Sequence, residues 1–385
     1  MDFAQDAATV AFREEVRRFV DEHLPPELEE ELYRTGDAHH QGFGLAMGER
    51  GWIVPQWDHG GRETLSPAEA HVLTEELVRV HAPTYAVETA GMVAKVIAAV
   101  GPEAMRNEIV PKVLTGEVTI ALGMSEPEAG SDVAAVRTRA RAVDGGWVID
   151  GQKMFTTNGH LTDHVFVIAR TDPDSERHRG LTTFLVPLDR EGIEVQAVYT
   201  VSGERTNITF YEDVFVEDEW RISEPGDGWR SLMLALQDEH SAAFSAHLGR
   251  QLEEAERWAG RPDHDGRAPI EREDVRRRLT RAATDLEVAR LLEMRTIWME
   301  SQGEVPVAEG PMSKLFGTEA IVRHAEELSA MVGPDALRSR GEPSAVEGGR
   351  IEHALRFSLG TTIYAGSSEI QRNIIAQRRC GLPRD

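Results

Sequence analysis

Two stretches in the middle third of the chain carry residue types suited to gripping a flat, polar ligand. Thr119 to Asp132, TIALGMSEPEAGSD, is an apolar run to Met124 that opens into Ser125, Glu126 and Pro127, then Gly130, Ser131 and Asp132. Small hydroxyls and accessible backbone where a strand stops offer hydrogen bonds without bulk. Asp150 to Gly159, DGQKMFTTNG, ends in the same manner, with Phe155 as an aromatic face and Thr156 and Thr157 as hydroxyl donors. Core packing is the commoner role for isolated apolar residues such as Met124 and Phe155, and Ser131 beside Gly130 is also an ordinary turn serine. A third feature is acidic. The stripe Trp229, Leu232, Met233, Leu236 resumes at Ala243, Phe244 and His247, so helical spacing turns Glu239 and His240 inward. An unpaired carboxylate on an apolar face costs several kcal/mol, so Glu239 either pairs, with His240 or a neighbouring arginine, or has a task. Excluding water from it would raise its pKa toward the range of a general base.

The elements that must position these residues change period along the chain. Phe12, Val16, Phe19 and Val20 keep helical spacing until Pro25 and Pro26. Ser66, Pro67 and Glu69 predict an N-cap, first-turn proline and capping box ahead of Val72, Leu73, Leu77 and Val80. Further helices are expected over 84–100 and through Pro111 to Gly116. Strand patterns then run over 137–143, 147–149, 164–169, 181–187, 193–199 and 208–216, with Asp144-Gly145-Gly146 as a hairpin turn. After Asp227 helices return, divided into four or five by breaks near Pro262, Pro306 and Gly341 to Pro343. The organisation predicted is α+β, mainly α: a helical domain over 1–118, an antiparallel β-barrel or sandwich over 119–225, and a helical bundle over 226–385.

A length of 385 residues calls for two or three packed sub-domains. No apolar run approaches the roughly 20 residues that span a bilayer, and the acidic N-terminal stretch lacks the pattern of a secretory signal, so a cytoplasmic location is expected. The single cysteine, Cys380, fits a reducing compartment. A formal charge of -24 disfavours nucleic acid as a partner. Gly42, Gly44 and Gly48 lack dinucleotide-fingerprint spacing, and His39, His40, His160 and His164 lack companions at zinc spacing, so no metal site is expected. Arg137, Arg139 and Arg141 alternate onto one strand face, which is either solvated or available to phosphates.

The two middle stretches resemble the flavin-binding signatures of the acyl-CoA dehydrogenase family. IYAGSSEIQR, Ile363 to Arg372, resembles that family's C-terminal signature, and GWIVPQWDHGG, Gly51 to Gly61, its N-terminal one. The four landmarks follow family order over nearly the whole chain. The resemblance implies a three-part fold ending in a four-helix bundle, and FAD-dependent α,β-dehydrogenation of an acyl-CoA to the trans-2-enoyl thioester. It implies flavin contacts at Met124, Ser125, Phe155, Thr157, Ser367 and Glu369, and a pantetheine contact at Ser131. It also implies a thioester-carbonyl donor in the backbone amide of Ala365, and electron-transferring flavoprotein as the acceptor.

Most members carry the catalytic glutamate at the position of Ala365. Some branches place it early in the C-terminal domain, where LQDEHSA aligns; Glu239 is then the base, and His240 stands where arginine is usual. Glu369 is a weaker second candidate, since an acid in a helix's first turn is ordinary dipole placement. GRPDHDGRAP, Gly260 to Pro269, and MVGPDAL, Met331 to Leu337, replace the segments that normally contact FAD diphosphate across a subunit interface. These replacements resemble the actinobacterial sterol side-chain branch, which implies a large acyl group. They leave a homo-oligomer and a heterotetramer with a sister chain both open. The rival readings are a non-catalytic or half-site subunit, and a flavin-dependent oxygenase on the same fold.

Overall fold

The structure, a computed structural model, describes residues 6–58, 60–236, 243–262 and 265–383. The chain divides into two compact units: one of residues 19–64 and 82–239, the other of residues 1–18, 65–81 and 240–385. Among the described residues, no helix is long and apolar enough to cross a membrane.

The first unit combines α2 (Pro26–Thr35), α3 (Gln41–Arg50), α5 (Tyr85–Val100), α6 (Glu103–Leu114) and α7 (Gly228–Leu236) with seven strands. These are β1 (Ile120–Gly123), β2 (Arg139–Val143), β3 (Gly146–Met154), β4 (His164–Arg170), β5 (Leu181–Pro187), β6 (Ile193–Tyr199) and β7 (Arg205–Glu217). Their order is β1-β4-β2-β3-β7-β6, with β5 on the other side of β4. Val165, Val167, Phe184, Val186, Ile149 and Val214 bury one continuous apolar face. The sheet is mixed rather than antiparallel throughout. β1 runs parallel to β4 over four residue pairs, and β2 meets β4 in parallel at one. The physical reason is connection length: forty residues, including the β2–β3 hairpin, separate β1 from β4, enough for a crossover. β3 is also longer than its apolar alternation predicts. A bulge between Ile149 and Gly151 shifts its register against β7, and Gly151 holds φ 145 with no room for a Cβ beside Thr138.

The second unit is helical. α4 (Pro67–Arg79) starts with the expected capping box between Ser66 and Glu69. α8 (Phe244–Gly260), α9 (Glu273–Ser301) and α10 (Glu309–Val332) pack through Leu248, Leu252, Leu279, Leu286, Ile321 and Leu328. Gly317 lets α10 approach α8 closely, since a Cβ there would lie 2.8 Å from that of Phe244. α11 (Arg350–Thr361) and α12 (Ser368–Arg378) pack on α10. From residue 226 onward six helices are present among the described residues, more than the breaks in the sequence predict. α1 (Ala7–His23) begins in this unit, where Arg13 and Arg17 converge on buried Glu76 of α4.

Candidate active site

β1 ends at Gly123, and the Thr119–Asp132 stretch then turns on Glu126. This buried carboxylate accepts the backbone N–H groups of Arg137 at 2.6 Å and Thr138 at 2.9 Å, and Lys153 Nζ at 2.8 Å. Lys153 is fully buried on β3, and its Nζ reaches the Met124 carbonyl as well, at 3.3 Å. Burial pushes the Lys153 amine down to about 8 against the opposing pull of Glu126. Burial also raises the Glu126 carboxyl, but Lys153 and the two amides outweigh it and hold it below its ordinary value. Both groups are therefore charged at neutral pH. The Met154 N–H donates to the Ser125 carbonyl at 2.8 Å, so the ends of β1 and β3 are tied side by side.

Directly after β3 stands Phe155, at φ 61 and 57 % exposed. A bulky residue at positive φ costs of order 1–3 kcal/mol, and this ring recovers little of that by burial. Its neighbours are firmly held: Thr156 and Asn207 exchange N–H···O bonds at 2.9 Å, and the Thr157 and Thr206 hydroxyls lie 3.1 Å apart. Met124 and Ser125 thus follow the end of β1, and Phe155 and Thr157 the end of β3 beside it. An exposed aromatic face beside hydroxyl and backbone groups fits the ring system of a flavin. Ser131 lies further along the same loop and is exposed. Next to it Asp132 takes both 3.1 Å bonds from Arg177, which brings the 171–180 loop alongside. Arg137 pairs with Glu128 at 2.5 Å, while Arg139 and Arg141 share the exposed face of β2.

In the helical unit, the C-terminal signature forms a turn between α11 and α12. Ala365 has φ 51 and Gly366 φ 80. Lys314 of α10, 1 % exposed, donates to the Gly366 carbonyl at 2.6 Å. Gln371 of α12, equally buried, donates to the Ala365 carbonyl at 3.0 Å. Among the described residues the Ala365 N–H has no acceptor, as a carbonyl donor requires. Ser367 caps α12 by accepting from the Ile370 N–H. Glu369 is exposed, and bonds from its own backbone N–H and from Ser367, with Arg372 nearby, hold its carboxyl below the ordinary range. That makes it a poor base.

Glu239 and His240 lie outside the described residues. On either side of them α7 ends at Leu236 and Ala243, with ψ 71, is not helical, so the helix expected to run unbroken to His247 is two helices. The first turn of α8 is held by Glu293 of α9, whose carboxylate accepts the Ser245 N–H at 2.8 Å and the Ser245 hydroxyl at 2.5 Å. Burial pushes Glu293 up to about 7, although both Ser245 bonds oppose the shift. Among the described residues no group of three or more acidic, histidine or cysteine side chains is arranged to hold a metal.

Sequence reasoning missed Lys153, Glu293, Lys314 and Gln371. Lys153 carried a weak signal, a lysine on the inward alternation of a strand. The other three had none, because their partners are more than forty residues away or are backbone atoms.

The sequence profiles of the acyl-CoA dehydrogenase N-terminal, middle and C-terminal domains match residues 6–117, 121–215 and 226–379. Acyl-CoA dehydrogenase FadE26 of Mycobacterium tuberculosis is 31% identical over 97% of this chain and 96% of its own length. Acyl-CoA dehydrogenase IpdE1 of the same organism is 33% identical over 85% of this chain and 83% of its own. Among solved structures, the Tcur3481-Tcur3483 steroid ACAD superposes with a TM-score of 0.91 at 29% identity, with both chains fully covered. The ChsE4-ChsE5 complex from Mycobacterium tuberculosis superposes with a TM-score of 0.90, also at 29% identity and full coverage of both chains. With all three family domains matched in order and a strand end shaped for a flavin, the chain belongs to the acyl-CoA dehydrogenase family, and FAD is its cofactor.

Proposed function

We propose that this chain oxidises an acyl-CoA with a bulky or branched acyl group, that Glu239 removes the α proton, and that a sister acyl-CoA dehydrogenase chain completes the assembly. The single observation that carries the chemistry is the turn at Ala365, whose N–H stands without an acceptor among the described residues, in a left-handed conformation. The α proton of a thioester is too weakly acidic to leave unless its carbonyl oxygen is polarised, and a preorganised N–H does that as charge develops on the oxygen. Glu239 then takes the proton, and His240 supplies a positive neighbour only when protonated. FAD, when bound, accepts the β hydrogen as hydride. Phe155, Met124 and Ser125 hold its ring, and Ser131 meets the pantetheine arm. Electron-transferring flavoprotein is the proposed acceptor.

Size of the acyl group and pairing with a sister chain are inferred from relatives: one neighbour is described as a steroid enzyme, and both solved neighbours pair two different chains. The replaced segments Gly260 to Pro269 and Met331 to Leu337 agree with shared flavin binding. The test is to purify the chain with and without a sister chain, record the flavin spectrum, and follow anaerobic bleaching by short, branched and steroidal acyl-CoA thioesters. Bleaching fastest with the bulky thioesters supports the proposal. Colourless protein that stays inactive even with its sister chain refutes it, and activity traced wholly to the sister's own site favours the half-site reading.

A further inference from the structure

We infer that Lys314 and Gln371 are positioning residues for the acyl-CoA reaction, a two-point clamp that fixes the direction of the Ala365 N–H; this rests on the reading of that amide as the thioester-carbonyl donor. The turn they hold is one that an alanine adopts reluctantly. Ala365 and Gly366 are consecutive residues at positive φ, so neither peptide plane is set by helical hydrogen bonds. Each carbonyl is instead engaged by a buried side chain. Lys314 Nζ donates to the Gly366 oxygen at 2.6 Å, and Gln371 Nε2 to the Ala365 oxygen at 3.0 Å and the Gly366 oxygen at 3.3 Å. The two donors come from different helices, α10 and α12, so the turn is gripped from both sides. Fixing both carbonyls fixes the two peptide planes that follow Ala365, so the plane that carries the Ala365 N–H keeps only the φ rotation of Ala365, which sits at 51° in the narrow left-handed well.

Packing alone does not call for these residue types. A lysine with 1 % exposure gives up hydration that methionine or leucine in α10 would not need to lose. What an apolar residue cannot do is hold a carbonyl. The ammonium also places a positive charge two peptides along from the donor, where it strengthens the site as negative charge gathers on the thioester oxygen.

Acetoacetyl-CoA is a suitable probe because its enolisation reports carbonyl polarisation directly, by absorbance, without turnover. In the FAD-loaded protein, Lys314→Met is expected to lower the enolate fraction of bound acetoacetyl-CoA about tenfold at a fixed pH below its midpoint, and to slow anaerobic flavin bleaching by acyl-CoA about 10- to 100-fold. FAD affinity should stay within about twofold. Gln371→Leu should act in the same direction and decides the question if Lys314→Met does not fold. Replacing the 364–365 amide by an ester, which deletes only the Ala365 N–H, separates the two layers. If the ester lowers the enolate fraction and the folded side-chain variants do not, the clamp is overturned while the amide keeps its role. If the ester leaves the fraction unchanged, the amide reading falls and the clamp with it.

Discussion

Replacing Glu293 with glutamine should remove a specific pH dependence from the stability of this protein. The carboxyl is 6 % exposed, accepts two bonds from Ser245 and lies 3.9 Å from His71, itself held neutral by burial. Glu75 pushes it further up and Arg290 pulls it down, leaving it at about 7 against an ordinary 4.5. Between those two values the folded chain binds more protons than the unfolded one, so this group's contribution to stability falls as pH rises. The slope approaches 1.36 kcal/mol per pH unit and halves at the folded value, so from pH 5.5 to 7.5 the change amounts to about 2 kcal/mol, with little further change above that. Buried histidines titrate in part of the same window with the opposite sign, which makes the wild-type curve alone uninformative. The difference between wild type and Glu293→Gln cancels them. Urea unfolding at pH 5.5, 6.5, 7.5 and 8.5 should show the wild type losing about 2 kcal/mol relative to the variant as pH rises. A difference that stays flat, or rises with pH, refutes the reasoning that this acid is protonated in the fold.

The histidines provide the complementary case. His247 is pushed down to about 4 by burial among His81, His353 and Phe357, so its contribution is intact above pH 6.5 and is lost as pH falls toward 4. His247→Phe should therefore lose about 2 kcal/mol less than wild type between pH 6.5 and 5 in the same urea assay, with Arg250, Arg350 and Glu254 lining that cluster unchanged. Phe155→Ala should change unfolding free energy by less than about 0.5 kcal/mol, because its ring is largely exposed. It should weaken FAD binding by about 1–3 kcal/mol, roughly 5- to 150-fold in the dissociation constant measured by flavin fluorescence, as lost ring stacking requires. Unchanged FAD affinity would detach Phe155 from the flavin site.

Legibility in the sequence followed the range of the interactions. The α4 cap was readable because Ser66, Pro67 and Glu69 act within one turn, and β5 and β6 because their turns and alternation are local. Helical spacing marks Pro25 and Pro26 only as a stop, yet Pro26 also opens α2, since proline suits a first helical turn as well as it ends a preceding one. The parallel β1–β4 pairing and the bulge at Gly151 depend on partners far along the chain, which no local period encodes. The resemblance proposes flavin contacts at Met124, Ser125 and Phe155, and the strand ends that carry them are adjacent. The charged residues of the site were harder to read: Lys153 gave only the weak signal of its inward strand parity until Glu126 is placed beside it, and Lys314 looks like a surface helix residue until Gly366 is.

The most direct measurement is anaerobic, single-turnover bleaching of the flavin by acyl-CoA in wild type and in Glu239→Gln, with acyl-CoA affinity measured in parallel. A positioned general base contributes about 10²- to 10⁴-fold, so the variant should bind the thioester with little change and bleach slower by about that factor. Bleaching at the wild-type rate with binding intact would contradict the account and send the search for the base to another carboxylate.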